Sequence, residues 1–180
     1  MPAPRSAVDS LSDPIVTRVF DAPRSLVFEA WTRVEHFTRW FGPHGAEVFS
    51  CEIDPRPGGV IRFGHRGNGM SLLVKGTFSE VVQDERLVFT LGFVDEQGRP
   101  CRHPMFDEWP LEAVIEMTVV LQSVGNGTRV TVAQQELPAD AAAHPAVKRN
   151  RELAGEGWRE VFERLGEHLL ARGDARGGRA

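Results

Sequence analysis

Glu112-Ala-Val-Ile-Glu-Met-Thr-Val-Val-Leu-Gln122, then Gly125-Asn126-Gly127 and Thr128-Arg-Val-Thr-Val-Ala133, is the stretch on which the fold turns. Ala113, Ile115, Met117, Val119 and Leu121 share one side of an extended chain, whereas Glu112, Glu116, Thr118 and Gln122 share the other. Side chains alternate across a strand, so one face is buried and one is wet. Asn and Gly tolerate the positive φ of a tight reversal, which makes this pair of segments an antiparallel hairpin.

The period of two continues in both directions, from Ala46 to Glu136. It predicts earlier strands at Glu47–Ile53, Val60–Arg66, Met70–Val82 and Arg86–Val94, with the Asp54–Gly59 turn separating the first two. Gly64, Gly76 and Gly92 fall inside these strands, where a missing side chain lets a sheet bend. Further upstream, Ile15–Phe20 forms the first strand and Asp21-Ala22-Pro23 starts a helix, with Pro23 at its first position and its end near Thr32. A second short helix carries Phe37, Trp40 and Phe41 up to Gly42-Pro43. Downstream, His144-Pro145 opens a long helix in which Val147, Ala154, Trp158, Val161, Leu165 and Leu169 recur at helical steps. The order predicts an α+β fold: a curved antiparallel sheet of about six to seven strands around a long C-terminal helix, with two short helices after the first strand. Residues 14–172 form one domain in this scheme, and the breaker-rich ends, 1–13 and 173–180, are expected to be mobile tails.

Composition narrows the functional classes. The 180 residues carry 21 Lys and Arg against 25 Asp and Glu, a formal charge of −4, with the signs mixed along the chain. Nucleic-acid binding needs clustered cations that outweigh nearby acids, so no nucleic-acid partner is expected. No apolar run approaches the ~20 residues that span a bilayer, and the first residues lack signal-peptide order, so a soluble cytoplasmic protein is expected. Cys51 and Cys101 read as free thiols of a reducing compartment. With 41% hydrophobic residues, a domain of this length closes a core without disulfides or a structural metal. No His-Glu-x-x-His or Cys-x-x-Cys occurs, so neither a metal nor a cofactor is expected.

Arg18-Val-Phe-Asp-Ala-Pro-Arg24, Ala30-Trp31-Thr32, Glu35-His36, Arg39-Trp40-Phe41-Gly42-Pro43 and Cys51-Glu-Ile-Asp-Pro-Arg-Pro-Gly-Gly59 together resemble the Hsp90-ATPase-activator-homologue-like branch of the START/Bet v 1-like, SRPBCC superfamily. Lys75-Gly-Thr-Phe78, Glu85-Arg-Leu-Val-Phe-Thr90, Gly127-Thr-Arg-Val-Thr131 and Gly157-Trp158 extend the likeness over nearly the whole folded region. The resemblance implies a helix-grip fold whose sheet and long helix enclose a cavity for apolar small molecules. Superfamily relatives include lipid carriers, hormone receptors, polyketide cyclases and aromatases, and co-chaperone domains, so the fold leaves function open. The segments Gly98–Pro110 and Ala139–Leu153 are longer than the family pattern and are placed to cover a cavity mouth. Family members that activate the chaperone carry a further domain ahead of this one, so a chaperone partner is not expected here.

Strand parity selects the cavity lining. Phe49 and Cys51, Phe63 and His65, and Phe89, Leu91 and Phe93 should point inward, joined by Phe78, Met117, Gln134, Trp158 and Phe162, with Trp40 and Phe41 near the entrance. The expected occupant is a small hydrophobic molecule. His65 is the one candidate for acid–base chemistry, since an imidazole titrates near neutrality. Glu80 and Gln134 are polar candidates whose direction depends on strand register. A cyclase or aromatase is the enzymatic alternative, a co-chaperone interaction module is another, and a homodimer through an edge strand or the Gly98–Pro110 loop is compatible with the sequence.

Overall fold

Met117 sits where the alternation places it, buried with Ile115, Val119 and Leu121 on the inner face of a sheet. The computed structural model describes residues 11, 14–67 and 69–177. Among these, seven strands form one antiparallel sheet: β1 (Pro14–Phe20), β2 (Glu47–Ile53), β3 (Val60–Gly67), β4 (Met70–Val82), β5 (Arg86–Val94), β6 (Val114–Val124) and β7 (Gly127–Leu137). Their order is β1-β7-β6-β5-β4-β3-β2, so β2 to β7 form a meander and β1 closes beside β7. Helices α1 (Arg24–Thr32) and α2 (Val34–Trp40) follow β1, and α3 (Pro145–Gly177) ends the chain's described part. The curved sheet grips α3 through Phe162, Leu165 and Leu169, which join the sheet's inner residues in one hydrophobic cluster. This is the α+β helix-grip architecture expected.

Boundaries differ in instructive places. Pro23 is the N-cap rather than the first helical residue of α1, and its carbonyl accepts from the Leu26 N–H at 3.0 Å. β6 starts at Val114, because the Ala113 N–H closes a turn onto Pro110 O at 3.1 Å. β7 runs past Ala133 to Leu137. Its alternation continues there with Gln134 and Glu136 on the inner face, so polarity masks the strand from a hydrophobic pattern. α3 runs past the expected Arg172 boundary, where Arg172 Nη2 donates to Glu29 Oε2 at 2.6 Å and Nη1 to Leu26 O at 3.3 Å. That anchorage ties down a segment whose composition signals fraying. Of the two expected tails, residues 1–10, 12–13 and 178–180 lie outside the described residues.

Phe49 is the clear correction to the predicted lining. The β2–β3 register shifts between Val48 and Ser50, so a bulge turns Phe49 to the outer face and leaves Val48 to pack on the core. Phe49 is 41% exposed, with Arg66 stacked 5.5 Å above its ring centroid. A similar shift between Phe78 and Glu80 turns Glu80 outward, where Arg86 Nε donates to its Oε2 at 3.0 Å.

Candidate functional site

Register assembles a continuous inner face. Cys51 lies beside Phe63, Phe63 beside Val74, and Val74 beside Phe93. Phe78 lies beside Phe89, Phe89 beside Met117, and Met117 beside Gln134. In the next row Leu91 faces Ile115, which faces Glu136. Of the predicted lining, the sheet therefore brings together every strand residue except Phe49, with His65 beside Leu72.

Helix residues fill the space above the middle of this face. Phe162 meets Phe20 edge-on at 5.4 Å, and Trp158 stacks on Trp31 at 6.1 Å while meeting Phe41 edge-on at 6.0 Å. Phe41 in turn stacks on Phe37 at 4.4 Å and meets Phe63 at 4.8 Å. Trp40 stands away from any entrance: it is fully buried, and its Nε1 donates to Ala30 O at 2.9 Å.

Closure is uneven along the sheet. Phe63, Phe78, Phe89 and Met117 are buried, yet Cys51, His65, Leu72, Leu91, Phe93, Phe41 and Trp158 remain only half-buried on or against the same core. The segment between β5 and β6 folds over this end. His103 and Trp109, both buried, meet Phe93 edge-on at 4.6 Å and 5.3 Å, and Phe106 lies 4.8 Å from His103. Arg102 Nη1 donates to Asp107 O at 2.7 Å and to Trp109 O at 3.2 Å, which holds the segment in shape. A cleft of about 430 Å³ runs around the end of the sheet, bordered by Leu72 and Phe93, by Phe49 and Leu73 of the outer face, and by Cys101 and Pro104.

Burial governs the electrostatics here. It pushes the His103 imidazole down to about 4, with neighbouring His65 adding to the effect, and it lowers His65 as well. Each ring is withdrawn from water by burial, and no carboxylate is among the causes of its shift, so the neutral form is favoured. Burial also raises the Cys51 thiol to about 11, the reverse of what a thiolate nucleophile needs.

A polar end lies at β7. Glu136 is 3% exposed and Gln134 is 8% exposed, and one side-chain oxygen of each, Oε1, has no hydrogen-bond partner among the described residues. Arg151 of α3 donates through Nη1 to Glu136 Oε2 and to Gln134 O, both at 3.1 Å. Among the described residues β1 pairs with β7 only as far as Ala133, which leaves a notch beside the rest of β7. A cavity of about 420 Å³ occupies that notch, lined by Gln134, Glu136, Arg151, Ala139 and Ala142 together with outer-face residues such as Glu116 and Thr118. Trp31 and Trp109 each bury an unpartnered Nε1 donor.

Glu136 is not singled out by sequence reasoning, His103 and Trp109 enter it only as members of the Gly98–Pro110 segment over the cavity mouth, and Arg151 reads as part of a solvated, paired helix face. Continuing the parity of Val130 and Val132 by one step finds Gln134, and one further step finds Glu136. Nothing local marks Arg151, which stands among alternating charges on a helix. Among the described residues no group of three His, Cys, Asp or Glu is placed to hold a metal ion, and no helix is long and apolar enough to cross a membrane.

The profile of the family described as activator of Hsp90 ATPase homolog 1-like protein matches residues 21–170. The chain belongs to that family. Solved structures with the family's helix-grip fold include a Nitrosomonas europaea protein, 25% identical with a TM-score of 0.68, covering 88% of this chain and 94% of its own. A Mycobacterium smegmatis protein is 20% identical at TM-score 0.70, covering 85% and 87%. The activator-homologue protein of Silicibacter pomeroyi is 19% identical at TM-score 0.66, covering 87% and 96%. No curated protein matches this family member significantly.

Proposed function

We propose that this protein binds a small, largely apolar molecule between its sheet and α3, noncovalently and in the cytoplasm. The observation that carries it is the uneven closure of the inner face: Leu72, Leu91, Phe93 and Trp158 stay half-buried where their neighbours are fully covered. A molecule laid against them removes apolar surface from water, at about 25 cal/mol per Å². The β5–β6 segment, with His103, Phe106 and Trp109, is the cover under which such a guest is held. The raised Cys51 thiol argues against a thiolate nucleophile and so favours noncovalent binding. The test is a titration with N-phenylnaphthylamine, followed through probe emission and the intrinsic tryptophan emission. Saturable enhancement that is weakened by Leu91→Asp supports the proposal, and a linear, unsaturable response rejects it.

A further inference from the structure

We infer that the guest is a flexible alkyl chain rather than a rigid ring, and that its site has a second arm on the outer face of the sheet, over Phe49 and Leu73. This rests on the binding function proposed above and specifies its ligand class. The cleft of about 430 Å³ is lined by Leu72 and Phe93 of the inner face and by Phe49 and Leu73 of the outer face, so one cavity touches both. Cys101 and Pro104 of the β5–β6 segment complete its apolar wall.

Three features build the outer arm. The bulge in β2 turns Phe49 outward, and bulges commonly re-aim a side chain beside a functional site. Gly64 makes room for that ring: a Cβ there would strike both Phe49 and the tip of Leu73, so the two side chains meet over bare backbone. The β5–β6 segment is fastened at the same end, where Val94 pairs with Pro100 and the Cys101 N–H donates to Phe93 O at 3.0 Å. Arg66 stands 5.5 Å above the Phe49 ring, yet Phe49 stays 41% exposed and Leu73 half-buried, which leaves apolar surface for a guest to cover.

Shape selects the class. A body that touches Leu72 and Phe93 as well as Phe49 and Leu73 passes from one face of the sheet to the other. A run of methylenes bends along that path by rotation about its single bonds, and a fused ring does not. The polar lining is exposed or engaged: Ser71 and Glu96 are exposed, Asp95 accepts from Arg99 Nε at 2.9 Å, and Arg102 donates to Asp107 O and Trp109 O. Apolar contact is therefore the main attraction.

Competition of hexanol, octanol and decanol against N-phenylnaphthylamine, with 1-adamantanol as the rigid alcohol, tests the inference. Affinity is expected to rise about threefold per methylene through decanol, as each further CH2 leaves water. Phe49→Ser, a change at an exposed position, should weaken decanol about fivefold or more and leave hexanol and 1-adamantanol within about twofold. If it weakens all the alcohols alike, or none, the outer arm is wrong while the binding function stands. If sedimentation shows a dimer that Phe49→Ser dissociates, the patch is covered by a second copy and the inference is overturned. A probe that never saturates overturns the binding function and the inference with it. The alcohol series on the unmodified protein decides even where the variant does not fold, since decanol binding no tighter than hexanol removes the second arm.

Discussion

The carbonyl of Thr90 in β5 crosses directly over Cα of Gly76 in β4, where any side chain would have to stand. A Cβ at Gly76 collides with Thr90 O and C, which are main-chain atoms that cannot swing aside. At Gly64 the obstructing atoms are instead the ring of Phe49, an exposed side chain, and the tip of Leu73. Gly76→Ala should therefore lower stability by about 3 kcal/mol, and Gly64→Ala by about 1 kcal/mol, because side chains relax where backbone does not. Urea denaturation of both variants checks the order; equal losses would show that β4 and β5 can slide apart.

Arg151 and Glu136 should be strongly coupled. Removing the guanidinium leaves a carboxylate that is 3% exposed without its cation, so Arg151→Met should cost about 3 kcal/mol. Glu136→Gln in the same chain should restore much of that loss, since the stranded charge is gone. A double-mutant cycle by thermal or chemical denaturation measures the coupling, and additive losses would contradict it.

Acid should destabilise the protein through two imidazoles, the buried His103 and the half-buried His168. Burial drives His103 to about 4, and burial with neighbouring His36, Arg172 and Arg39 drives His168 to about 4. Both folded values lie below the ordinary 6.5, so the unfolded chain binds more protons in that interval. Their contribution is complete above about pH 6.5 and is lost as pH falls toward 4. Melting temperatures measured across that window should fall, and His103→Leu or His168→Leu should each flatten the slope. An unchanged slope in both variants would assign the acid loss elsewhere.

Arg164 holds the turn between α2 and β2. Its Nη1 donates to the carbonyls of Phe41, Gly42, Pro43 and Ala46 at 3.0–3.3 Å, and its Nη2 to Arg39 O at 3.1 Å. Arg164→Ala should cost about 2 kcal/mol, and Arg164→Lys should recover less than half, since an ammonium lacks the planar fork that spans both ends of the turn. Hydrogen exchange of the amides around Gly45 and Ala46 reports the turn directly; protection unchanged in Arg164→Ala would dismiss this role.

Local pattern alone determined the strand-rich middle, the hairpin at Gly125–Gly127, the long terminal helix and most inward residues, because alternation and helical periodicity are properties of neighbours in the chain. Phe49 and Glu80 escaped that logic, since one extra residue in a bulge reverses every side chain around it and is set by the partner strand. Trp40 looked like an entrance residue for a comparable reason: its depth depends on Trp31 and Phe37 packing over it. The polar end of the inner face was only half legible. Gln134 follows from parity, but that Glu136 meets Arg151 across 15 residues, leaving two acceptors free, is decided where α3 turns back over β7. Hydrophobic order along a chain specifies which faces must be hidden; which side chains meet once they are hidden depends on distances that only the folded chain possesses.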